Sequence, residues 1–201
     1  MTSIINISND NLEKATETLY LAFAEDPFIL WMFDGKENYT KNGRWAFKTW
    51  IKWSMLYGIA IATSNCEAVA LRKKPGKHNF SFWGLWRSGM LKTPMIMGSA
   101  AFEKIKIVDN LFKAEQLKNI GSDNFWYCWM IGTHPDYRQQ GFGKRLMSYT
   151  FDLAKKSKLP CYLETATEEN VIIHGKQGYN VNSTINIPDS EIKIYCMSKL
   201  V

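Results

Sequence analysis

Apolar residues return every three or four positions through Leu12, Ala15, Leu19 and Phe23, the spacing of one buried helix face. Ser8, Asn9 and Asp10 precede that run as candidate helix caps, and residues 2–7 read as a short strand. Asp26-Pro27 predicts the end of the helix, because the residue before a proline is pushed out of the α region. A second helical pattern runs through Trp45, Thr49, Lys52 and Leu56 and is closed by Gly58. Residues 59–63 and 68–72 are strand-like and separated by the turn at Ser64-Asn65, which predicts a hairpin. Residues 73–81, with Pro75-Gly76, read as a loop. Residues 82–117, rich in Trp and Met, carry a mostly helical pattern.

After Gly121-Ser122-Asp123 the pattern changes. Residues 125–131 are continuously apolar, as expected of a central strand buried on both faces. A polar turn over 133–140 leads into a helix with Phe142, Leu146, Tyr149 and Leu153 as its apolar stripe. Lys155, Lys156 and Lys158 fall at its C-terminal end, where cations suit the helix dipole. Pro160 introduces a strand over 161–166, and Thr167 can cap a short helix that Gly178 closes. Strands over 179–187 and 191–197 complete a mixed α/β (α+β) order in one domain, residues 1–201.

A net charge of +6 suits a polyanionic partner, yet no block of five like charges forms a nucleic-acid tail. A nucleic-acid reading would rest on that charge and on eight Trp, and no nucleic-acid partner is expected. Cys66, Cys128, Cys161 and Cys196 are widely spaced and without a CxxC pair, which reads as buried free thiols of a reducing compartment. His78, His134 and His174 lack metal-ligand spacing, so no metal is expected. No basic-then-apolar leader opens the chain and no stretch is long enough to span a bilayer, so a cytoplasmic protein with no membrane partner is expected.

The strongest chemical signal is Arg138-Gln139-Gln140-Gly141-Phe142-Gly143-Lys144, directly after a buried strand and at the start of a helix. Helix N-termini expose unpaired N–H groups and partial positive charge, and glycines let the main chain approach a phosphate closely. The spacing excludes two phosphate loops. A Walker A loop needs glycine where Arg138 stands and Ser or Thr where Arg145 stands, and a dinucleotide fingerprint needs a small residue at Leu146.

The run His134-Pro135-Asp136-Tyr137-Arg138-Gln139-Gln140-Gly141-Phe142-Gly143 resembles the signature of the GNAT superfamily of N-acetyltransferases. Leu163-Glu164-Thr165, Asn170 and Gly178-Tyr179 follow at that family's spacing. The resemblance is specific over residues 123–182, with Glu25-Asp26-Pro27-Phe28 its main echo upstream. It implies a mixed, mostly antiparallel sheet of six to seven strands flanked by helices, with a helical insertion over 82–117. It further implies acetyl-CoA as co-substrate, its pantetheine arm along Ile131, Gly132 and Thr133. The diphosphate would lie on Arg138 and the amides of Gln139, Gln140, Gly141, Phe142, Gly143 and Lys144, and Asn170 would touch the arm.

The family often places a tyrosine four residues after the asparagine, to protonate the departing thiolate. Here the residue is His174, one helical turn from Asn170 and with an ordinary pKa suited to a general acid. The expected reaction is direct attack of a primary amine on the thioester. Glu164 is the first candidate base, with Asp26, Glu25 and a water chain as alternatives. Cys128 and Cys161 are discounted as acyl carriers because apolar surroundings raise thiol pKa values. The acceptor reads as a small-molecule amine in a pocket drawn from Tyr20, Phe28, Trp31, Phe33, Trp83 and Trp86. A protein acceptor and a non-catalytic acyl-CoA sensor of the same fold are alternatives. The oligomeric state is open.

Overall fold

The computed structural model describes residues 3–200 and is built on one seven-stranded sheet. The strands are β1 (Ile4–Asn6), β2 (Ile59–Thr63), β3 (Ala68–Lys73), β4 (Trp126–Thr133), β5 (Cys161–Thr165), β6 (Asn180–Asn186) and β7 (Lys193–Lys199). Their spatial order is β1-β2-β3-β4-β5-β7-β6, and every neighbouring pair is antiparallel except β4 and β5. Thr2, expected in the first strand, lies outside the described residues.

Helices α1 (Leu12–Ala22), α2 (Pro27–Met32) and α3 (Lys36–Tyr57) separate β1 from β2. Leu12, Ala15 and Leu19 are buried as their spacing predicts. Two local readings fail here. The cap of α1 is Asn11, whose side chain makes no capping bond, and not the preceding Ser8-Asn9-Asp10 run. Asp26-Pro27 does not end α1, which stops at Ala22. It starts α2 instead, with the Asp26 carboxylate accepting from the Ile29 N–H at 2.9 Å and Pro27 in the first turn. Proline's fixed φ and missing N–H suit that position as well as they suit a stop.

The buried face of α3 is also rotated from the predicted stripe. Ala46, Phe47, Trp50, Ile51 and Trp53 are buried, whereas Leu56 is largely exposed. On α7 (Phe142–Ser157) the buried positions are Leu146, Met147, Thr150 and Ala154. Thr150 is polar yet fully buried because it accepts from the Nε of Arg72 at 2.8 Å. Arg72 itself sits in the core between sheet and α7, also donating to the Met130 carbonyl at 2.9 Å. No periodicity argument would place a guanidinium there.

The predicted hairpin over β2 and β3 forms, as does the helical segment after it. That segment comprises α4 (Phe82–Ser88), a 3-10 turn at Met90–Lys92, α5 (Thr93–Met97) and α6 (Ser99–Ile120). α8 (Glu168–Gly175) is capped as expected, the Thr167 hydroxyl accepting from the Asn170 N–H. All four cysteines are free and buried.

Candidate active site

Two features of the sheet open a cleft at its centre. β4 and β5 pair only at Trp126–Cys161 and Tyr127–Tyr162, although β4 continues to Thr133 and β5 to Thr165. Past Tyr127 the two strands therefore part, leaving main-chain polar groups without a neighbouring strand. On its other side, β4 slips register against β3 between Leu71 and Arg72, which pair with Met130 and Cys128. Trp129 is the extra residue of this bulge, and a bulge bends its strand. The sequence contained the two strands but no signal for the slip.

The loop predicted to meet phosphate stands at the N-terminus of α7. Gln139 and Gly141 both adopt positive φ, 62° and 78°. Among the described residues, no N–H from Gln139 through Lys144 finds a protein acceptor. The first amide of α7 that does is Arg145, to the Gly141 carbonyl at 3.2 Å. Six consecutive donors, across the end of the loop and the first turn of α7, are thus left unengaged. Nothing lies within 4 Å of a Cβ built on Gly141, and one on Gly143 would meet the Thr133 hydroxyl at 3.3 Å. Arg138 turns its guanidinium to the Ala22 carbonyl, 3.3 Å away, tying the loop to the end of α1. Gly132 is required by packing, since a Cβ there would lie 2.7 Å from that of Ala22.

The cleft continues into a cavity of about 530 Å³, within the range of small-molecule sites. Ile131 of β4 and Asn170 and His174 of α8 line it, as do residues of α4 to α6. Asn170 and His174 share a helix face, as their spacing required. His174 is buried against Tyr179, its Nδ1 has no hydrogen-bond partner, and burial together with the Arg72 charge lowers its pKa to about 4. Its imidazole therefore stays neutral well below pH 7, whereas the ordinary value of 6.5 would let it titrate near neutrality.

Glu164 also lines the cavity. Its Oε1 accepts from the Gln116 side chain at 2.9 Å, and burial raises its pKa to about 7, with the Tyr127 hydroxyl and Gln116 opposing the shift. Asp26 reaches the cavity but is committed to capping α2, whereas Glu25 is exposed and paired with Lys36 at 2.8 Å. Burial raises the thiol pKa of Cys128, and of Cys161 to about 11, so neither is a thiolate at neutral pH.

Lys73 was read as loop and is the residue the sequence reasoning missed. Burial lowers its pKa to about 7. Its ammonium lies 3.9 Å from the Phe80 ring centroid and 4.8 Å from that of Trp129, and donates to the His78 carbonyl at 3.0 Å. The signal existed: Val69, Leu71 and Lys73 alternate onto one face of β3, and the first two are core. His78 is buried beside it, with a pKa lowered to about 4 by burial.

The aromatic wall differs from the one expected. Of Tyr20, Phe28, Trp31, Phe33, Trp83 and Trp86, Phe28 alone lines the cavity. Tyr20 and Phe33 pack with Tyr39 in the core, and Trp83 and Trp86 face solvent. Trp50, Phe80, Phe102, Phe112 and Trp129 supply the rings instead. Among the described residues no cluster of three or more His, Cys, Asp or Glu is placed to hold a metal ion. No helix there is long and apolar enough to cross a membrane.

Comparison with known proteins bears on this geometry. An uncharacterized N-acetyltransferase of Schizosaccharomyces pombe is 21% identical over 188 residues, 90% of this chain and 76% of that protein. Among solved structures, a histone acetyltransferase HPA2 and related acetyltransferase from Corynebacterium glutamicum superposes with a TM-score of 0.68 at 19% identity, over 100% of this chain and 97% of that one. Arylalkylamine N-acetyltransferase 2 of Aedes aegypti gives 0.67 at 14% identity, over 98% of each chain. The polyamine N-acetyltransferase of Drosophila melanogaster gives 0.62 at 10% identity over the whole of both. At such identities these structures share the fold. The model of the acetyltransferase (GNAT) family matches residues 60–175, more than half the chain. The protein belongs to the GNAT acetyltransferase family.

Proposed function

We propose that the chain, as one domain over residues 1–201, transfers the acetyl group of acetyl-CoA to a small primary amine carrying an apolar or aromatic body. The observation that carries this reading is the row of six unengaged amides, Gln139 to Lys144, beside a parted β4–β5 pair. A diphosphate needs several convergent donors and a main chain it can approach, and the loop offers both. In this reading the amides of Gln139, Gln140, Gly141, Phe142, Gly143 and Lys144 hold the diphosphate, with Lys144 adding charge. Arg138 acts mainly by fixing the loop to α1. The free edge of β4 at Ile131, Gly132 and Thr133 pairs with the pantetheine amides, and Asn170 contacts the same arm.

The thioester supplies an activated carbonyl. The amine nitrogen attacks its carbon, the carbon–sulfur bond breaks, and the pair of electrons leaves on sulfur. Glu164 takes the proton that the nitrogen sheds once its bond to the carbonyl carbon forms, and burial suits it to that task, since a carboxylate with a pKa near 7 is a stronger base than an ordinary one. His174, neutral in its pocket, donates an N–H hydrogen bond to the departing sulfur. The aromatic wall and buried Glu164 favour an amine with an apolar body over a long peptide, because α4 to α6 close one side of the cavity.

The test is thermal shift with acetyl-CoA, followed by thiol release with a panel of amines. A raised melting temperature and amine-dependent release support the enzyme. A raised melting temperature with no release from any amine supports a non-catalytic acyl-CoA-binding protein, and no shift removes the reading altogether.

A further inference from the structure

We infer that the segment from Lys74 to Met95 docks the protein onto an anionic lipid surface. Phe82, Trp83, Trp86 and Met95 are 65%, 64%, 60% and 83% exposed. Phe82 packs against Trp83 with centroids 5.9 Å apart, and Trp83 against Trp86 at 5.7 Å, so three large rings form one contiguous surface ridge. Exposed apolar side chains scattered singly need no explanation, but a contiguous ridge of this size does.

Charge identifies the occupant. From Ala68 to Phe102 the chain carries six cations and no Asp or Glu. Arg72 and Lys73 are buried, which leaves Lys74, Lys77, Arg87 and Lys92 exposed in the loop before α4, on α4 and in the 3-10 turn after it. None of the four forms an ion pair with another described residue, unlike Lys36 and Lys48 of α3 and Lys104 and Lys113 of α6. Asp123 approaches the loop through its main chain, its carbonyl accepting from the Gly76 N–H at 2.8 Å, and its carboxylate forms no ion pair with the four cations. Aromatic side chains flanked by unpaired Lys and Arg are the composition that settles at an anionic headgroup layer.

Two other occupants fit less well. A second copy of this chain placed symmetrically on the ridge would set the same four cations against each other. A single-stranded nucleic acid needs flat ring faces free for base stacking. Here the rings meet one another edge to face at 77° and 78°, and Met95 has no flat face to offer. The expectation of no membrane partner rested on the absence of a spanning segment, and interfacial docking requires none. The same segment lines the cavity through Leu85, Met90 and Pro94, so the lipid-facing ridge and the cavity wall are two sides of one structure.

The experiment is co-sedimentation of the full chain with phosphatidylcholine vesicles, with and without phosphatidylserine, at low and high salt. The expected result is pelleting with the anionic vesicles, weakened by salt. Trp83→Ser with Trp86→Ser should abolish it, and each of Lys74→Gln and Lys92→Gln should weaken it about fivefold. Melting temperature and turnover on a water-soluble amine should be unchanged, because none of these side chains lines the cavity. Three results would overturn the inference. They are no pelleting by the folded wild type, pelleting unchanged in the double Trp variant, and self-association or RNA binding that the same Trp variant removes.

Discussion

At the N-terminus of α7 the chain offers unengaged main-chain donors, and inside the cavity it holds charged side chains buried with incomplete pairing. The loop from Gln139 to Lys144 offers donors that need no particular side chain, and its cost is two positive-φ positions. Glu164 and Lys73 sit among aromatic rings, and burial moves both pKa values to about 7 from opposite directions. In the proposed reading the first arrangement binds the cofactor, and the second moves a proton near neutral pH, the property acid–base catalysis requires.

The largest expected effect separates the two ends. Glu164→Gln is roughly isosteric, keeps a partner for Gln116, and removes the proposed base. Turnover should fall about 10²–10⁴-fold while acetyl-CoA affinity, measured by calorimetry, stays constant. In the wild type the rate should rise with pH through about 7 as Glu164 deprotonates, and that limb should be absent in the variant. An equal loss of affinity and turnover would place Glu164 in binding instead.

Gly143→Val tests the other end. Its side chain would crowd Thr133 and the approach to the amides. Loss of one charge-assisted hydrogen bond, about 1.5–3 kcal/mol, should weaken acetyl-CoA about 10- to 100-fold by calorimetry and leave the pH limb at about 7 in place. His174→Ala should lower turnover about tenfold, the worth of a single hydrogen bond of ~1.4 kcal/mol, with unchanged cofactor affinity. Because burial holds this imidazole neutral, the variant should show no altered pH limb near 6.5.

The smallest effect is on stability. Lys73 has a folded pKa of about 7 against an ordinary 10.5. Between those values the unfolded chain binds the extra proton, so this group's contribution to stability rises with pH from about 7 to 10.5 and is least favourable below 7. Glu164 has the opposite sign, its contribution falling as pH rises from 4.5 to about 7. Lys73→Met should therefore raise the melting temperature most near pH 7, with the gain fading toward pH 10.5. A gain independent of pH would mean that Lys73 is not deprotonated on folding at all.

The same contrast explains what was legible in the sequence. The α7 loop announces itself because two glycines, a preceding apolar strand and a following helical stripe are local features, readable in one window. The individual strands and the helical pattern over 82–117 followed from periodicity, and their assembly into one mostly antiparallel sheet with an insertion followed from the family resemblance. Lys73 and Glu164 were harder because their burial depends on which strand faces which helix. Gln116 meets Glu164 across 48 positions of sequence. The bulge at Trp129 and the guanidinium of Arg72 in the core arise from register and from pairing with Thr150 and Met130, neither of which leaves a local trace. The aromatic wall was misassigned for a related reason. Helical spacing identifies an apolar face but not whether that face meets a core, a cavity or solvent, and Trp83 and Trp86 took the last course.

The most direct measurement is a crystal structure of the protein with coenzyme A bound. The account predicts diphosphate oxygens within hydrogen-bond distance of the amides between Gln139 and Lys144, and the pantetheine arm between the parted ends of β4 and β5. Coenzyme A bound elsewhere, with those amides facing only water, would contradict it.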